Sequence, residues 1–223
     1  MTKPLRIFLT LVLLSVASAA KANTLYYIVD NIRYAVNTDN STATVVRNYG
    51  YEDMTEITIP ASITVDGTTY TVDQIGDHCF SYCSSLTSIT IPNSVTQLGD
   101  YCFSECTSLT SINIPNSVTK LGWSCFSGCT SLTSVNIPNS VAELGGYCFG
   151  GCSSLKSVSI PNSVTKIGLW CFTDCASLTT VKLPVTINSL AGVFYHCTGL
   201  KAITIPASVT ELETYYDDRI SVH

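Results

Sequence analysis

The sequence predicts an α/β solenoid, and three observations carry the prediction. A block of 23 residues, TSITIPNSVTQLGDYCFSECTSL at 87–109, is written again with few changes at 110–132, 133–155 and 156–178. Single residues keep the same step. Cys79, Cys102, Cys125, Cys148 and Cys171 are spaced by 23, as are Phe80, Phe103, Phe126, Phe149 and Phe172. Pro92, Pro115, Pro138, Pro161 and Pro184 follow suit. A fixed period in the twenties marks units that bury their apolar face only against their neighbours, so one continuous repeat domain is expected.

The unit 109–132 shows what each rung should contain. Leu109, Ile112 and Ile114 place the two isoleucines on one side of a strand, while Ser111 and Asn113 alternate to the other side. Pro115 has no N–H for a ladder and ends the strand; Asn116 and Ser117 are turn formers. Val118 and Leu121 re-enter the core along a second short extended piece, and Gly122 allows the chain to bend. Leu121, Cys125, Cys129 and Leu132 then fall at steps of four, four and three, one stripe of a short helix with Phe126 beside it. Stacking such rungs makes a parallel strand ladder with short helices on the opposite side. It puts Ile112 under Val135 and Phe126 under Phe149, about 4.8 Å apart.

Leu-x-x-Ile-x-Ile is similar to the strand of leucine-rich repeats. The whole unit, Ile/Val-x-Ile-Pro-x-Ser-Val-Thr-x-Ile/Leu-Gly-x-x-x-Phe-x-x-Cys-x-Ser-Leu, resembles the BspA-like class of that superfamily over residues 55–212. Where that class most often has Ala before the Phe, this chain has Cys. The resemblance implies a leucine-rich-repeat solenoid in a secreted or surface-displayed bacterial protein, with some protist relatives. It also implies function by binding, since family members are associated with adhesion to host proteins or other cells.

Residues 1–22 read as a secretory signal peptide: Lys3 and Arg6, an apolar run over 7–16, then small residues that allow cleavage after Ala19 or Ala22. The apolar run is too short for a membrane span. The first cysteine is Cys79, so no lipid-anchored start is expected. Residues 23–54 hold two aromatic-rich runs, 25–29 and 32–36, around Asp30 and Asn31, the pattern of a hairpin and a natural N-terminal β cap for the first rung. Within the solenoid at 55–212, Asp66-Gly67 between β-rich flanks predicts a second hairpin over 63–70. The repeat decays beyond 179, and 213–223 reads as a C-terminal tail or a truncated cap.

Only 12% of residues are charged, the net charge is −5, and Lys and Arg are scattered singly, so a nucleic-acid footprint is absent. Eleven cysteines in an exported chain would ordinarily suggest disulfides. Here both cysteines of each Cys-Phe-x-x-Cys fall on the inward stripe, where small polarizable side chains pack well. Structural thiols are therefore preferred to rung-to-rung disulfides. A metal is disfavoured, because Cys-x-x-x-Cys is not the Cys-x-x-Cys pair of a zinc site.

His78 and His196 each precede a cysteine, but neighbours on a helix point about 100° apart, which argues against a Cys–His nucleophile. Asp217-Asp218 lies in the tail, and no phosphate-cradling glycine loop occurs. No catalytic residue and no cofactor is expected. The informative residues are those that break the repeat, and the aromatics in the pair of positions before the first Cys of a Cys-Phe segment, namely Tyr101, Trp123, Tyr147 and Trp170, form the candidate binding ridge. Their bland role would be to shield the ladder. A secondary candidate is the polar strand face, Ser111, Asn113, Ser134, Asn136, Ser157 and Ser159, whose bland role is to solvate a sheet. The sequence thus points to an exported, non-enzymatic binding or adhesion module that contacts host or cell-surface proteins or glycans. The alternative is a structural spacer or stalk presenting another domain, and a secreted enzyme is the remote one.

Overall fold

The computed structural model describes residues 24–212 and 221–222. The expected signal peptide and most of the tail at 213–223 lie outside the described residues. The chain begins with β1 (Thr24–Val29) and β2 (Ile32–Asn37), an antiparallel hairpin closed by Asp30 and Asn31 at φ 48° and 66°. Two successive left-handed residues are what a tight two-residue hairpin turn requires, and Asp and Asn tolerate that region. β3 (Thr42–Val45) pairs antiparallel with β2. After β4 (Glu56–Thr58), β5 (Ser62–Val65) and β6 (Thr68–Ile75) form the second hairpin, turning at Asp66 and Gly67 (φ 50° and 78°) as the Asp-Gly pair predicts.

The repeats then build ladders side by side. One contains β9 (Ser111–Asn113), β11 (Ser134–Asn136), β13 (Ser157–Ser159) and β15 (Thr180–Lys182), all parallel, with Ser111, Ser134, Ser157 and Thr180 in register. β7 (Ser88–Thr90) pairs instead with β4 as a separate two-stranded sheet. A second ladder is made of two-residue strands, β8 (Gln97–Leu98), β10 (Lys120–Leu121), β12 (Glu143–Leu144) and β14 (Lys166–Ile167). It continues through β6 to β3, β2 and β1, so the N-terminal hairpin is joined to the solenoid by backbone pairing. Between the two ladders the chain turns on Pro-Asn-Ser. The Pro115 carbonyl accepts from Val118 N, and the Ser140 hydroxyl donates to Val118 O of the preceding rung at 2.6 Å.

The third side differs from expectation. No α-helix forms among the described residues, and the Cys-Phe segments are left-handed turns. The residue before the first Cys has positive φ in Tyr101 (55°), Ser124 (50°), Tyr147 (53°) and Trp170 (57°). So does the residue before the second Cys, in Glu105 (61°), Gly128 (73°), Gly151 (72°) and Asp174 (56°). An α-helix cannot include such residues, and each non-glycine one costs roughly 1–2 kcal/mol. The compensation is lateral. Tyr101 N donates to Trp123 O (2.7 Å), Phe103 N to Cys125 O (2.7 Å) and Glu105 N to Ser127 O (2.7 Å), all in the next rung. The amides between them bond within the turn, as Ser104 N does to Tyr101 O and Cys106 N to Phe103 O. Alternate N–H groups are thus spent between rungs, which the i to i−4 pattern of a helix would forbid.

The turns still bury the expected stripe: Leu121, Cys125, Phe126, Cys129 and Leu132 are all fully buried. The phenylalanines stack, with ring centroids 5.4 Å apart for Phe80–Phe103, 5.3 Å for Phe103–Phe126 and Phe126–Phe149, and 5.2 Å for Phe149–Phe172. Tyr51 heads the column at 5.0 Å from Phe80, its hydroxyl accepting from Arg33 N (2.7 Å) and donating to Val46 O (3.2 Å). Gly122 is required for close approach rather than for bending. A methyl group there would lie 2.7 Å from Asp100 N and against the backbone of Gly99, and Gly145 meets Gly122 in the same way.

Because backbone cannot yield as a side chain can, Gly122→Ala should lower unfolding free energy by about 3 kcal/mol. Gly50→Ala, where a methyl group meets nothing within 4 Å, should leave it unchanged. Urea denaturation followed by circular dichroism measures both; equal stability of the two variants would contradict the close-packed rungs.

Candidate functional site

The surface of the Cys-Phe turns is built from two adjacent columns. The one at the left-handed position carries His78, Tyr101, Ser124, Tyr147 and Trp170; the one before it carries Asp77, Asp100, Trp123, Gly146 and Leu169. Trp123 therefore stands one position out of line with Tyr101, Tyr147 and Trp170, a correction to the single ridge expected from sequence. In the second column each aspartate caps the following rung: Asp77 Oδ1 accepts from Asp100 N (2.8 Å) and Asp100 Oδ1 from Trp123 N (2.7 Å).

Two aromatic groups result. His78 and Tyr101 stack at 4.7 Å with planes 4° apart. Trp123, Tyr147 and Trp170 make a tilted strip, at 5.7 Å and 54° for the first pair and 5.0 Å and 47° for the second. Trp123 is 40% exposed and Tyr101 37%, whereas Tyr147 and Trp170 are half-buried. The rings do cover one another's faces, as shielding requires, yet Trp123 stays partly open. Gly146 makes room for it: a methyl group on Gly146 would fall on the Trp123 ring, closest to Cζ3 and 2.7 Å from both Cε3 and Cη2. Gly146 was missed as part of the site, although its place directly after Trp123 in the column is visible in the sequence. His78 was likewise missed, because its ring partner sits one rung away.

The strand face presents Ser111, Asn113, Ser134, Asn136, Ser157 and Ser159, all exposed and in columns, with Asn113 beside Asn136 and Ser159 beside Lys182. The structure separates this face from the aromatic strip, because the strands and the Cys-Phe turns form different ladders of each rung.

All eleven cysteines are free and buried. From the second pair onward the second thiol donates to the Phe carbonyl of the preceding rung: Cys106 to Phe80, Cys129 to Phe103 and Cys175 to Phe149, each at 3.2 Å. Thiols of the first column contact each other, Cys102 with Cys125 and Cys148 with Cys171. Burial pushes Cys79, Cys102, Cys129 and Cys148 well above the ordinary thiol range and Cys83 up to about 11. These thiols are packing and hydrogen-bonding groups, not nucleophiles. His196 Nδ1 faces Asp174 Oδ1 at 3.1 Å, while Cys197 beside it is buried and donates to Phe172 O. Among the described residues no cluster of His, Cys, Asp or Glu is placed to hold a metal ion, and no helix is long and apolar enough to cross a membrane.

Against known families, six copies of the profile described as "BspA type Leucine rich repeat region" match, over 47–153, 73–191 and 124–216. The chain belongs to the BspA-type leucine-rich-repeat family. Solved structures agree with that membership. A leucine-rich repeat protein from Bacteroides ovatus is 33% identical with a TM-score of 0.75, covering 82% of this chain and 48% of its own. The T. pallidum leucine-rich repeat protein is 32% identical, with a TM-score of 0.69, covering 76% of this chain and 77% of its own. One from Eubacterium ventriosum is 28% identical, with a TM-score of 0.70, covering 89% and 53%. This chain thus spans about half the length of the Bacteroides ovatus protein. No match is found among curated proteins.

The thiol ladders of this BspA-type solenoid make a pH prediction. A buried thiol keeps its proton in the fold but loses it near the ordinary value of 9.0 when unfolded. The unfolded chain then binds fewer protons, so this stability is complete below pH 9 and lost as pH rises above it. Urea midpoints should hold level to about pH 8 and fall beyond about pH 9. At neutral pH, iodoacetamide should label no cysteine until denaturant is added; rapid labelling of the native protein, read by mass spectrometry, would contradict the burial.

Proposed function

We propose that this BspA-type protein is an exported, non-enzymatic binding or adhesion module that contacts extracellular proteins or glycans through its Cys-Phe turns. The observation that carries the reading is the strip Trp123–Tyr147–Trp170 with a partly exposed indole, at positions that vary while the rest of the repeat is held nearly constant. Residues free to vary between rungs are free of the ladder's packing demands, and exposed Trp and Tyr supply much of the energy of interfaces. Leucine-rich-repeat membership supports binding over catalysis. The charged start, apolar run and small residues of 1–22 support export, and 23–54 is read as the unit that caps the first rung.

Two measurements test this. Mass spectrometry of the native protein should find its N-terminus near Ala20 or Asn23, and an intact Met1 would refute export. Binding to whole cells and extracellular-matrix proteins should fall sharply when Trp123, Tyr147 and Trp170 become Ala, with circular dichroism unchanged. The loss should be about 2 kcal/mol or more for the ring at the centre of the contact. If that variant binds normally while Ser111, Asn113 and Asn136 replaced by Ala does not, the strand face is the site. Absence of any ligand would favour a spacer.

A further inference from the structure

Trp123 is the residue whose geometry says most about a ligand. Its backbone N–H is fixed by Asp100 Oδ1 at 2.7 Å, and its benzo ring crosses to the next rung, against Gly146. The methyl position on Gly146 lies nearest Cζ3 and only 2.7 Å from both Cε3 and Cη2, closer to these two than a point beyond the ring edge could be, so it sits over the ring face. The indole therefore lies with one face on backbone, Tyr147 tilted against it at 54°, and stays 40% exposed. Shielding of the neighbouring rung accounts for the buried part of the ring; the exposed part costs about 25 cal/mol per Å² that burial would recover. A flat ring supported from behind is a platform, whereas a protein hot spot is more often a side chain that plugs into a pocket.

We propose that Trp123 is a stacking platform for the apolar face of a pyranose ring, and that the ligand is a neutral glycan. This rests on the binding-module reading above and narrows its ligand class. The axial C–H groups of a hexose carry partial positive charge, which the negative face of an indole attracts, the same quadrupole that draws cations to aromatic rings. Charge decides which glycan. The Cys-Phe turns over 77–86, 100–109, 123–132, 146–155 and 169–178 contain no Lys or Arg, while Asp77, Asp100, Glu105 and Asp174 lie on them. A sulfated or carboxylated polysaccharide would meet carboxylates and no Lys or Arg, whereas neutral hydroxyls can donate to them. Tyr147 and Trp170 extend the strip along the solenoid axis at 5.7 and 5.0 Å steps, so consecutive sugars of a chain would run across the rungs.

The chain has two tryptophans, so Trp170→Phe leaves Trp123 as the sole reporter and keeps a ring against Tyr147. Fluorescence of that full-length variant is titrated with laminarihexaose, cellohexaose, mannohexaose and chitohexaose, with heparin as the anionic comparison. At least one neutral oligosaccharide should shift Trp123 emission saturably, and heparin should not. Calorimetry on the unmodified chain should show affinity for that oligosaccharide falling about tenfold or more in Trp123→Ala. Trp123→Phe, which keeps a flat ring, should fall less, and Gly146→Ser, which pushes the indole off its bed, should weaken binding with Trp123 in place. The inference is overturned if no neutral oligosaccharide shifts the emission, if heparin binds better, or if Trp123→Ala binds as the unmodified chain does. A chain that fails those tests yet binds cells or matrix proteins through the strip loses the glycan and keeps the binding module.

Discussion

The lateral hydrogen bond from one Cys-Phe turn to the next is the constraint on which the rest of the solenoid depends. Phe126 N reaches Cys148 O at 2.7 Å and Ser124 N reaches Gly146 O at 2.8 Å, and amides committed sideways cannot also close a helix. That commitment goes with a left-handed residue before each cysteine, stacks the phenylalanines at 5.2 to 5.7 Å, and brings Gly99, Gly122, Gly145 and Gly168 against the backbone of the preceding rung. It also gives the second cysteine its role. The Phe80 carbonyl takes the turn's own Cys83 amide at 3.1 Å and still has a lone pair for the Cys106 thiol at 3.2 Å. A small side chain with a weak donor suits that place, and burial keeps its proton on.

Much of this was legible because a repeat reports its own register. Ser134 opposite Ser157 and Leu121 opposite Leu144 could be paired from spacing, and both hairpins from Asp-Asn and Asp-Gly between apolar runs. The helix was misread for a physical reason. Apolar residues at steps of four, four and three bury equally well in a helix or in left-handed turns, because periodicity records which side chains face inward and not which carbonyl each amide meets. Tyr51 as the head of the Phe column could not be foreseen, since nothing in the repeat points to a residue outside its register.

The candidate site was legible in its residues and not in its arrangement. Tyr101, Trp123, Tyr147 and Trp170 stood out as interruptions of a near-constant unit, yet whether they share a column depends on counting from the left-handed position. Seen from there, Trp123 belongs with Asp100 and Gly146, and it leans across to Tyr147. The strand face varies less in its first column, Ser111, Ser134, Ser157 and Thr180, while its second passes from Asn113 and Asn136 to Ser159 and Lys182, all small or polar groups that solvate a narrow sheet. The variable turn is where one rung differs chemically from the next, and so where selectivity can reside.

The central claim, that rungs are tied by lateral amide bonds through left-handed turns, is tested most directly by NMR through-hydrogen-bond couplings in the isotope-labelled protein. Correlations should connect Phe103 N to the Cys125 carbonyl, Phe126 N to Cys148 and Phe149 N to Cys171. Couplings from those amides to the carbonyl four residues earlier in the same rung, the helical pattern, would contradict it.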